Sequence, residues 1–138
     1  MPEPLPEWAV DDVAIQGDQR LLRRVPRLLV HAGVVESSNF RETEAGRGLS
    51  VTLWESEADL ADVRRFNEDL GVVWVAASIF RDAGATIVRV PLVGNLNHCE
   101  LFPRFSPSPL KKMKNAARWV YYPDWVLPEH RGPVDTLA

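Results

Sequence analysis

The chain has 138 residues, is 46% hydrophobic and 25% charged, and contains a single cysteine. This length and composition fit one globular domain spanning 1–138, which is large enough to bury a core without disulfides. One cysteine excludes an internal disulfide and a multi-thiolate zinc site. No apolar run is long enough for a membrane helix, and the acidic, proline-broken N-terminus differs from a secretion signal. We therefore expect a cytoplasmic protein with no membrane partner.

The net charge of −3 at pH 7 is too close to neutral to indicate bulk nucleic-acid binding. Acidic residues concentrate between Glu55 and Asp69, and basic residues between Arg104 and Arg118. We expect two solvated helix faces of opposite sign, which could pair within the fold or each meet a partner. The basic stretch 111–118 precedes aromatic residues, as in proteins that bind single strands. We expect a solvated face rather than a nucleic-acid partner, and contact with nucleic acid through this helix is a third alternative.

In the first third of the chain, residues 1–10 are predicted to be an extended lead-in, because three prolines prevent regular pairing. A strand is predicted over Arg20–Val25, where the next residue is proline. Residues 27–35 fit a second short strand or a bent continuation broken at Gly33. The polar, glycine-rich stretch 36–48 is predicted to be a loop.

The middle of the chain gives the clearest helix. Residues 49–54 alternate between apolar and other side chains and predict a strand with one apolar face. Ser56 and Asp59 then form a capping-box pattern, and apolar residues recur at helical spacing up to Leu70. Gly71 follows where a left-handed C-terminal cap is expected.

The remaining pattern predicts strands over 72–79, 86–92 and His98–Phe102, and a second helix that opens at Ser108. The proline-rich stretch 121–138 is predicted to wrap the surface. About five or six strands and two helices indicate a single α+β domain. We expect a mixed, mostly antiparallel sheet packed against the two helices.

No strong catalytic or nucleotide-binding motif is present, and the sequence specifies no cofactor. The three histidines are far apart, so we expect no metal site. His98 and Glu100 are two residues apart in a predicted strand and face the same side. They are candidate catalytic residues that move protons. The alternative is that His98 bonds a loop carbonyl.

Two further stretches offer binding groups. Of Arg23 and Arg24, one must turn inward, where it either pairs with a buried carboxylate or holds an anionic ligand such as phosphate. The stretch Ser37–Phe40 could bind a ligand through its hydroxyls, or form a turn before Phe40 enters the core. Cys99 is expected to be a small buried apolar residue rather than a nucleophile, since its neighbour His98 points to the opposite face.

Four short motifs occur in a distinctive order: LLRRVP at 21–26, SSNF at 37–40, LSV at 49–51, and Pro91 followed by Asn-His at 97–98. This order resembles that of a group of small bacterial proteins, and the resemblance spans about residues 20–102. It implies a shared scaffold and a pocket among the matching positions, which are Arg24, Ser38, Phe40, Ser50 and His98.

The order of elements is also similar to that of compact ADP-ribosyltransferase-like toxins. Those carry an arginine on an early strand, a serine on a later strand and then a helix, all around an NAD cleft. Arg24, Ser50 and the helix from Ser56 follow that order here. The sequence departs from the pattern at the expected catalytic acid, for which it has no clear match and Glu100 is the candidate. The resemblance implies an enzyme that acts on NAD or on a phosphate-bearing substrate.

Two functional hypotheses follow. The first is a binding domain that meets a protein partner or a second copy of itself, and the resemblance suggests a conflict or toxin–antitoxin operon. The second is an enzyme in which Arg24 holds the anion, Ser38 or Ser50 positions it, and His98 with Glu100 moves protons. The enzyme requires Arg24 and His98 to line one pocket, whereas the binding domain leaves them apart, each with structural partners.

Overall fold

A computed structural model describes residues 6–41, 47–65, 69–103 and 105–137. Parts of the predicted lead-in, loop, first helix and basic segment, including Glu68 and Arg104, lie outside the described residues. The strands are β1 (Arg20–Val25), β2 (Val30–His31), β3 (Val34–Val35), β4 (Leu49–Leu53), β5 (Gly71–Ala76), β6 (Thr86–Arg89), β7 (His98–Phe102) and β8 (Arg118–Tyr121). The α-helices are α1 (Glu57–Arg64), α2 (Ala77–Asp82) and α3 (Pro107–Ala116). The predicted α+β class is confirmed, and no described helix is long and apolar enough to cross a membrane.

Six strands form one sheet in the order β6-β7-β4-β1-β5-β8, and β2 and β3 form a separate hairpin. Every pairing in the six-stranded sheet is antiparallel, so the expected mixture of directions is absent among neighbouring strands of the described chain. Because β1 pairs antiparallel with both β4 and β5, those two strands run parallel to each other on either side of it. The connection through α1 joins them.

Side chains alternate along β1, so this central strand contributes to both faces of the sheet. Leu21 and Val25 enter the larger core, which α2 and α3 cover. Leu22 faces the smaller core on the side of α1, together with Trp54 and Val63. Helices therefore cover both faces of the sheet.

The predicted strand 72–79 is wrong beyond Ala76, because α2 begins at the next residue. Ala76 pairs with Arg20, the first residue of β1, so β5 loses its neighbour at this point. An apolar run of this kind fits a buried helix as well as a strand. Phe80 of α2 is fully buried and packs against Phe40 in the larger core.

The predicted left-handed cap at Gly71 is also wrong. Gly71 is the first residue of β5, opposite Val25, and its φ is not positive. A Cβ atom at Gly71 would lie 2.7 Å from Cζ3 of Trp119. The glycine is therefore required by close packing between strands rather than by a turn.

The second predicted helix begins one Ser-Pro pair earlier than expected. Ser106 is the N-cap and Pro107 the first helical residue, whereas the sequence pattern favoured Ser108. Leu110 is buried as predicted. Val120, expected on the same helical stripe, lies in β8 because the helix ends at Ala116.

Between β1 and β4 the chain forms short elements. Residues 27–35 contain a 3-10 turn at Arg27–Leu29 and then the β2–β3 hairpin, which turns at Gly33 with a φ of 79°. Within the predicted loop 36–48, Ser37–Phe40 forms a second 3-10 turn. This turn packs against α3 and places Phe40 in the core.

The predicted capping box at the start of α1 is confirmed. The backbone amides of Glu55 and Ser56 donate to Oδ2 of Asp59 at 2.8 and 2.9 Å. Asp59 is consequently buried, which corrects the expectation that the acidic segment is wholly solvated. In the basic segment, Lys111 and Lys112 are exposed as expected.

The segment before β1 covers the edge of the sheet at β6. The amide of Asp12 donates to the carbonyl of Ile87 at 2.7 Å, and the amide of Ile87 donates to the carboxylate of Asp11 at 2.9 Å. Nε of Arg89 donates to Oδ2 of Asp12 at 2.9 Å. These contacts satisfy backbone groups that an edge strand would otherwise expose.

The described part of the predicted wrap 121–138 begins at the end of β8, which includes Tyr121, and then lies against β5 and β8. Tyr122 stacks on Trp119 with 4.4 Å between ring centroids. Nε1 of Trp74 donates to the carboxylate of Asp135 at 2.7 Å. The tail is therefore held by specific polar and aromatic contacts.

Candidate functional site

A hollow of about 340 Å³ opens on the α1 side of the sheet, between β1, β4 and the loop that joins β6 to β7. Its polar and charged lining consists of Arg23, Arg24, Ser50, Thr52, Asn95 and His98. Three of the residues singled out from the sequence, Arg24, Ser50 and His98, therefore meet at one hollow although they come from distant stretches of the chain. No carboxylate lines this hollow among the residues that the structure describes.

The hollow exists because β1 and β4 stop pairing. Their register matches Leu21 with Leu53 and Leu22 with Thr52, and the ladder ends there. In-register continuation would place Arg24 opposite Ser50. Instead the two strands separate at this point, while β1 stays paired with β5 and β4 stays paired with β7. The gap leaves a concave surface inside an otherwise continuous sheet.

Arg23 fills part of the gap with its guanidinium group. Its Nε donates to the carbonyl of Asn39 at 3.0 Å, and its Nη1 donates to the carbonyl of Ser50 at 2.9 Å. Burial and the neighbouring charge of Arg24 lower the pKa of Arg23 to about 10. The lowered pKa means that burial makes the charged form of Arg23 less favourable than in water, and a nearby anion would reduce this free-energy cost.

Arg24 lies on the α1 side of the strand. Its Nε donates to the carbonyl of Val63 at 2.8 Å, in the last turn of α1, where cations are favoured. Burial lowers the pKa of Arg24 below its usual value. The sequence offered a buried carboxylate or an anionic ligand as the partner of an inward arginine, and the hydrogen bond to the helix carbonyl is compatible with either.

His98 and Ser50 form a hydrogen-bonded pair at the floor of the hollow. Nε2 of His98 lies 3.1 Å from Oγ of Ser50, and Nδ1 lies 2.9 Å from the carbonyl oxygen of Val90. A carbonyl can only accept, so Nδ1 carries the proton in the neutral ring. Nε2 is then the acceptor, and the Ser50 hydroxyl donates to it. The expected contact of His98 with a loop carbonyl is present together with this second contact.

Asn95 contributes a polar group that the sequence analysis did not identify. It is 7% exposed, and its Nδ2 lies 3.0 Å from Oγ1 of Thr52. Its Oδ1 has no hydrogen-bond partner among the described residues. Buried amide atoms are nearly always paired, so this end of the amide is a candidate contact for a ligand in the hollow. The only sequence signal was the Gly94-Asn95 turn, whose glycine has a φ of 79°.

Glu100 lies outside the hollow. Its carboxylate is buried and accepts hydrogen bonds from the Arg47 guanidinium at 3.3 and 3.2 Å and from the amide of Gly48 at 3.1 Å. It faces the same side of β7 as His98, as predicted, but no contact between the two side chains is observed. The carboxylate is committed to holding the chain that enters β4.

Ser38 and Phe40 also lie outside the hollow. Oγ of Ser38 lies 3.5 Å from the Glu36 carboxylate within the 3-10 turn. Phe40 is fully buried in the larger core, where its ring centroid lies 6.4 Å from that of Phe80. For these two residues the structure supports the turn and core alternative.

Cys99 is completely buried and belongs to the larger core, as expected. Burial raises the pKa of its thiol to about 11. A nucleophilic or metal-binding cysteine needs a thiolate, which this environment disfavours. Across the described ranges, no group of three or more His, Cys, Asp and Glu side chains could hold a metal ion.

A second hollow of about 340 Å³ lies between the β2–β3 hairpin and the C-terminal tail. Leu28 and Leu127 line it and remain 86% and 51% exposed. His31 and His130 are at its rim. It shares no lining residue with the first hollow.

The geometry is the basis for the function proposed below, since no protein-family model, no curated protein and no solved structure matches this chain.

Proposed function

We propose that the protein binds a small anionic ligand, such as a phosphate- or carboxylate-bearing molecule, in the hollow between β1 and β4. The observation that carries this proposal is the convergence of Arg24, Ser50 and His98 on one concave site. Two arginines bring positive charge, and hydroxyl and amide groups supply hydrogen bonds. This combination is typical of sites that recognise anions.

Burial strengthens the proposal. Burial lowers the pKa of Arg23, so a nearby anion would favour its charged form, and one end of the buried Asn95 amide has no partner among the described residues. A bound anion would favour the charged form of Arg23, and its oxygen atoms or a hydroxyl group on it would pair with the amide of Asn95. The site volume of about 340 Å³ is at the lower end of ligand pockets and fits a molecule smaller than a whole dinucleotide.

Thermal unfolding with inorganic phosphate or AMP tests the proposal. A ligand at 100 times its dissociation constant adds about 2.7 kcal/mol to the free energy of unfolding, and stabilisation should weaken as salt increases. Arg24→Gln should reduce the response, and Arg24→Lys should retain part of it. Arg118→Gln is the matched control, because Arg118 is exposed and lies on β8, away from the hollow. No stabilisation by either probe at millimolar concentration, or an undiminished response in Arg24→Gln, would contradict anion binding.

We propose self-association through the second hollow as a second candidate function. Leu28 and Leu127 expose apolar surface around a concave site, a pattern that marks interaction surfaces. Light scattering after size exclusion should show a dimer that Leu28→Glu dissociates. Val93→Glu is the control, since Val93 is also fully exposed but lies at the first hollow. A monomeric wild-type chain at high micromolar concentration would exclude this candidate.

A further inference from the structure

We propose that Ser50 is a nucleophile activated by His98, and that the hollow hydrolyses carboxylic esters with a small apolar acyl group. This inference rests on the proposed function, because it uses the same anion-binding hollow to hold the negative charge that develops during the reaction. It goes further by assigning a covalent step and a substrate class.

Ser50, His98 and the Val90 carbonyl form a chain of hydrogen bonds. Ser50 donates to Nε2 of His98 over 3.1 Å, and Nδ1 of His98 donates to the Val90 carbonyl over 2.9 Å. A nucleophile needs a base within hydrogen-bond reach, and the base needs a third group that fixes its tautomer. The backbone carbonyl of Val90 supplies the third group. It continues to accept the hydrogen bond from Nδ1 when Nε2 takes up the proton of Ser50 and the ring becomes an imidazolium.

The Ser50 hydroxyl is accessible from the hollow. Ser50 is exposed, whereas His98 is 5% exposed and therefore held in place. The hydroxyl is open to a substrate on the side of the hollow while its base is fixed by β7 and by the carbonyl of Val90.

A charged and a polar side chain line the hollow together with the Ser50 hydroxyl. Arg24 brings a positive charge, and the Asn95 amide has one unpartnered end. The oxygen and nitrogen of an amide can be exchanged, since the Thr52 hydroxyl can either accept or donate, so the unpartnered end can be the donor. Donors of this type stabilise the oxyanion of a tetrahedral intermediate.

Two apolar side chains in the lining of the hollow suit the acyl group of the substrate. Leu92 and Val93 line the same hollow and are 41% and 102% exposed. They form an apolar rim next to Ser50, which suits a short hydrocarbon chain. A purely phosphate-binding site would not need apolar side chains there.

The reaction balances with water as the only co-reactant. Oγ of Ser50 bonds to the ester carbonyl carbon, and its proton passes to Nε2 of His98. The carbon–oxygen bond to the leaving alkoxide then breaks, and the alkoxide takes that proton to leave as an alcohol. His98 then takes a proton from a water molecule, whose oxygen bonds to the carbonyl carbon of the acyl-serine. The bond from that carbon to Oγ of Ser50 breaks, and the proton passes from His98 to Oγ, so that a carboxylic acid leaves and Ser50 and neutral His98 are restored.

The experiment uses a fluorophosphonate probe and p-nitrophenyl butyrate on the full chain. We expect the intact mass to increase by one probe, peptide mapping to place the probe on Ser50, and urea to abolish labelling. Ser50→Ala should lose both labelling and hydrolysis. His98→Asn retains a donor toward Val90 but removes the base, and it should slow labelling about 100-fold or more. Ser38→Ala is the serine control and should react as the wild type does.

Circular dichroism and thermal unfolding show whether each variant is folded. Labelling at residues other than Ser50, equal labelling in urea, or unchanged rates in folded His98→Asn would overturn the inference. Thermal unfolding with inorganic phosphate, the test of anion binding, separates the two proposals. Stabilisation by phosphate without labelling removes the nucleophile but keeps the anion site, whereas labelling of Ser50 without a phosphate response contradicts the anion site alone.

Discussion

Nη1 of Arg23 donates to the carbonyl oxygen of Ser50 at 2.9 Å, at the point where β1 and β4 no longer pair with each other. The side chain thus bridges two strands whose backbones have separated. It also donates from Nε to the carbonyl of Asn39 at 3.0 Å. One guanidinium group therefore satisfies carbonyl groups of both β4 and the 3-10 turn Ser37–Phe40.

Arg23→Met should destabilise the protein by about 2–3 kcal/mol, since it leaves carbonyl acceptors in the gap without their charged donor. Urea unfolding followed by tryptophan fluorescence measures this change. Arg118→Gln, on the exposed surface, should change the free energy of unfolding by no more than about 0.5 kcal/mol. A loss below that value for Arg23→Met would show that the gap does not depend on the guanidinium group.

Asp12→Asn should lower stability at neutral pH by about 1 kcal/mol, because it weakens the contact of Asp12 with Arg89. The hydrogen bond from Arg89 is the largest cause that lowers the pKa of Asp12 below its usual value of 3.8. The wild-type carboxylate therefore stabilises the fold above about pH 4, and this contribution is lost as pH falls through the lowered pKa.

The measurement is chemical denaturation of both chains at several pH values. The difference between wild type and Asp12→Asn should be largest at neutral pH and should shrink at strongly acidic pH. A difference that stays constant from neutral to acidic pH would mean that the carboxylate charge is not the cause.

The buried Cys99 thiol should make the free energy of unfolding depend on pH in the alkaline range. Burial raises its pKa from 9.0 to about 11, so between these values the unfolded chain loses the thiol proton while the folded chain keeps it. The free energy of unfolding should consequently fall as pH rises from about 9 to about 11, and Cys99→Ala should lack this part of the decrease.

A thiol reagent at pH 8 gives an independent check on Cys99. The folded protein should react very slowly, and the urea-unfolded chain should react with one equivalent within minutes. Rapid reaction of the folded protein would contradict the buried, protonated state.

Gly71→Ala tests close packing at the start of β5. The added Cβ would lie 2.7 Å from Cζ3 of Trp119, whose ring is stacked on Tyr122. We expect a loss of about 1–3 kcal/mol, as for other overpacked sites. Trp119→Phe should recover part of this loss in the double variant, which a double-mutant cycle measures. Additive effects of the two substitutions would show that the ring and the new methyl group do not meet.

Local patterns were sufficient for elements whose cause is local. The capping residues Ser56 and Asp59 predicted the start of α1, alternation predicted β4, and the proline after Val25 predicted the end of β1. Patterns failed where two structures satisfy them equally. The second helix had two adjacent Ser-Pro pairs, and the apolar stretch after Ala76 fits either a helix or a strand.

The candidate site shows the same division. Motif order and residue type singled out Arg24, Ser50 and His98, which line one hollow. They also singled out Glu100 and Phe40, which do not line the hollow. Glu100 faces the same side of β7 as His98, but that relation does not determine which neighbour its carboxylate binds, and it binds Arg47. Phe40 packs in the larger core against Phe80. Asn95 was missed because its importance lies in burial without a partner, and burial depends on the whole fold.

The sequence by itself determined the α+β class, most strand positions and the chemical groups available, because periodicity, caps and side-chain type act over a few residues. Only the tertiary structure decided that β1 and β4 separate, and so created the hollow. That separation depends on contacts between residues far apart in the chain, such as the one that Arg23 makes with the carbonyl of Ser50. Interactions of this kind leave no pattern at short range.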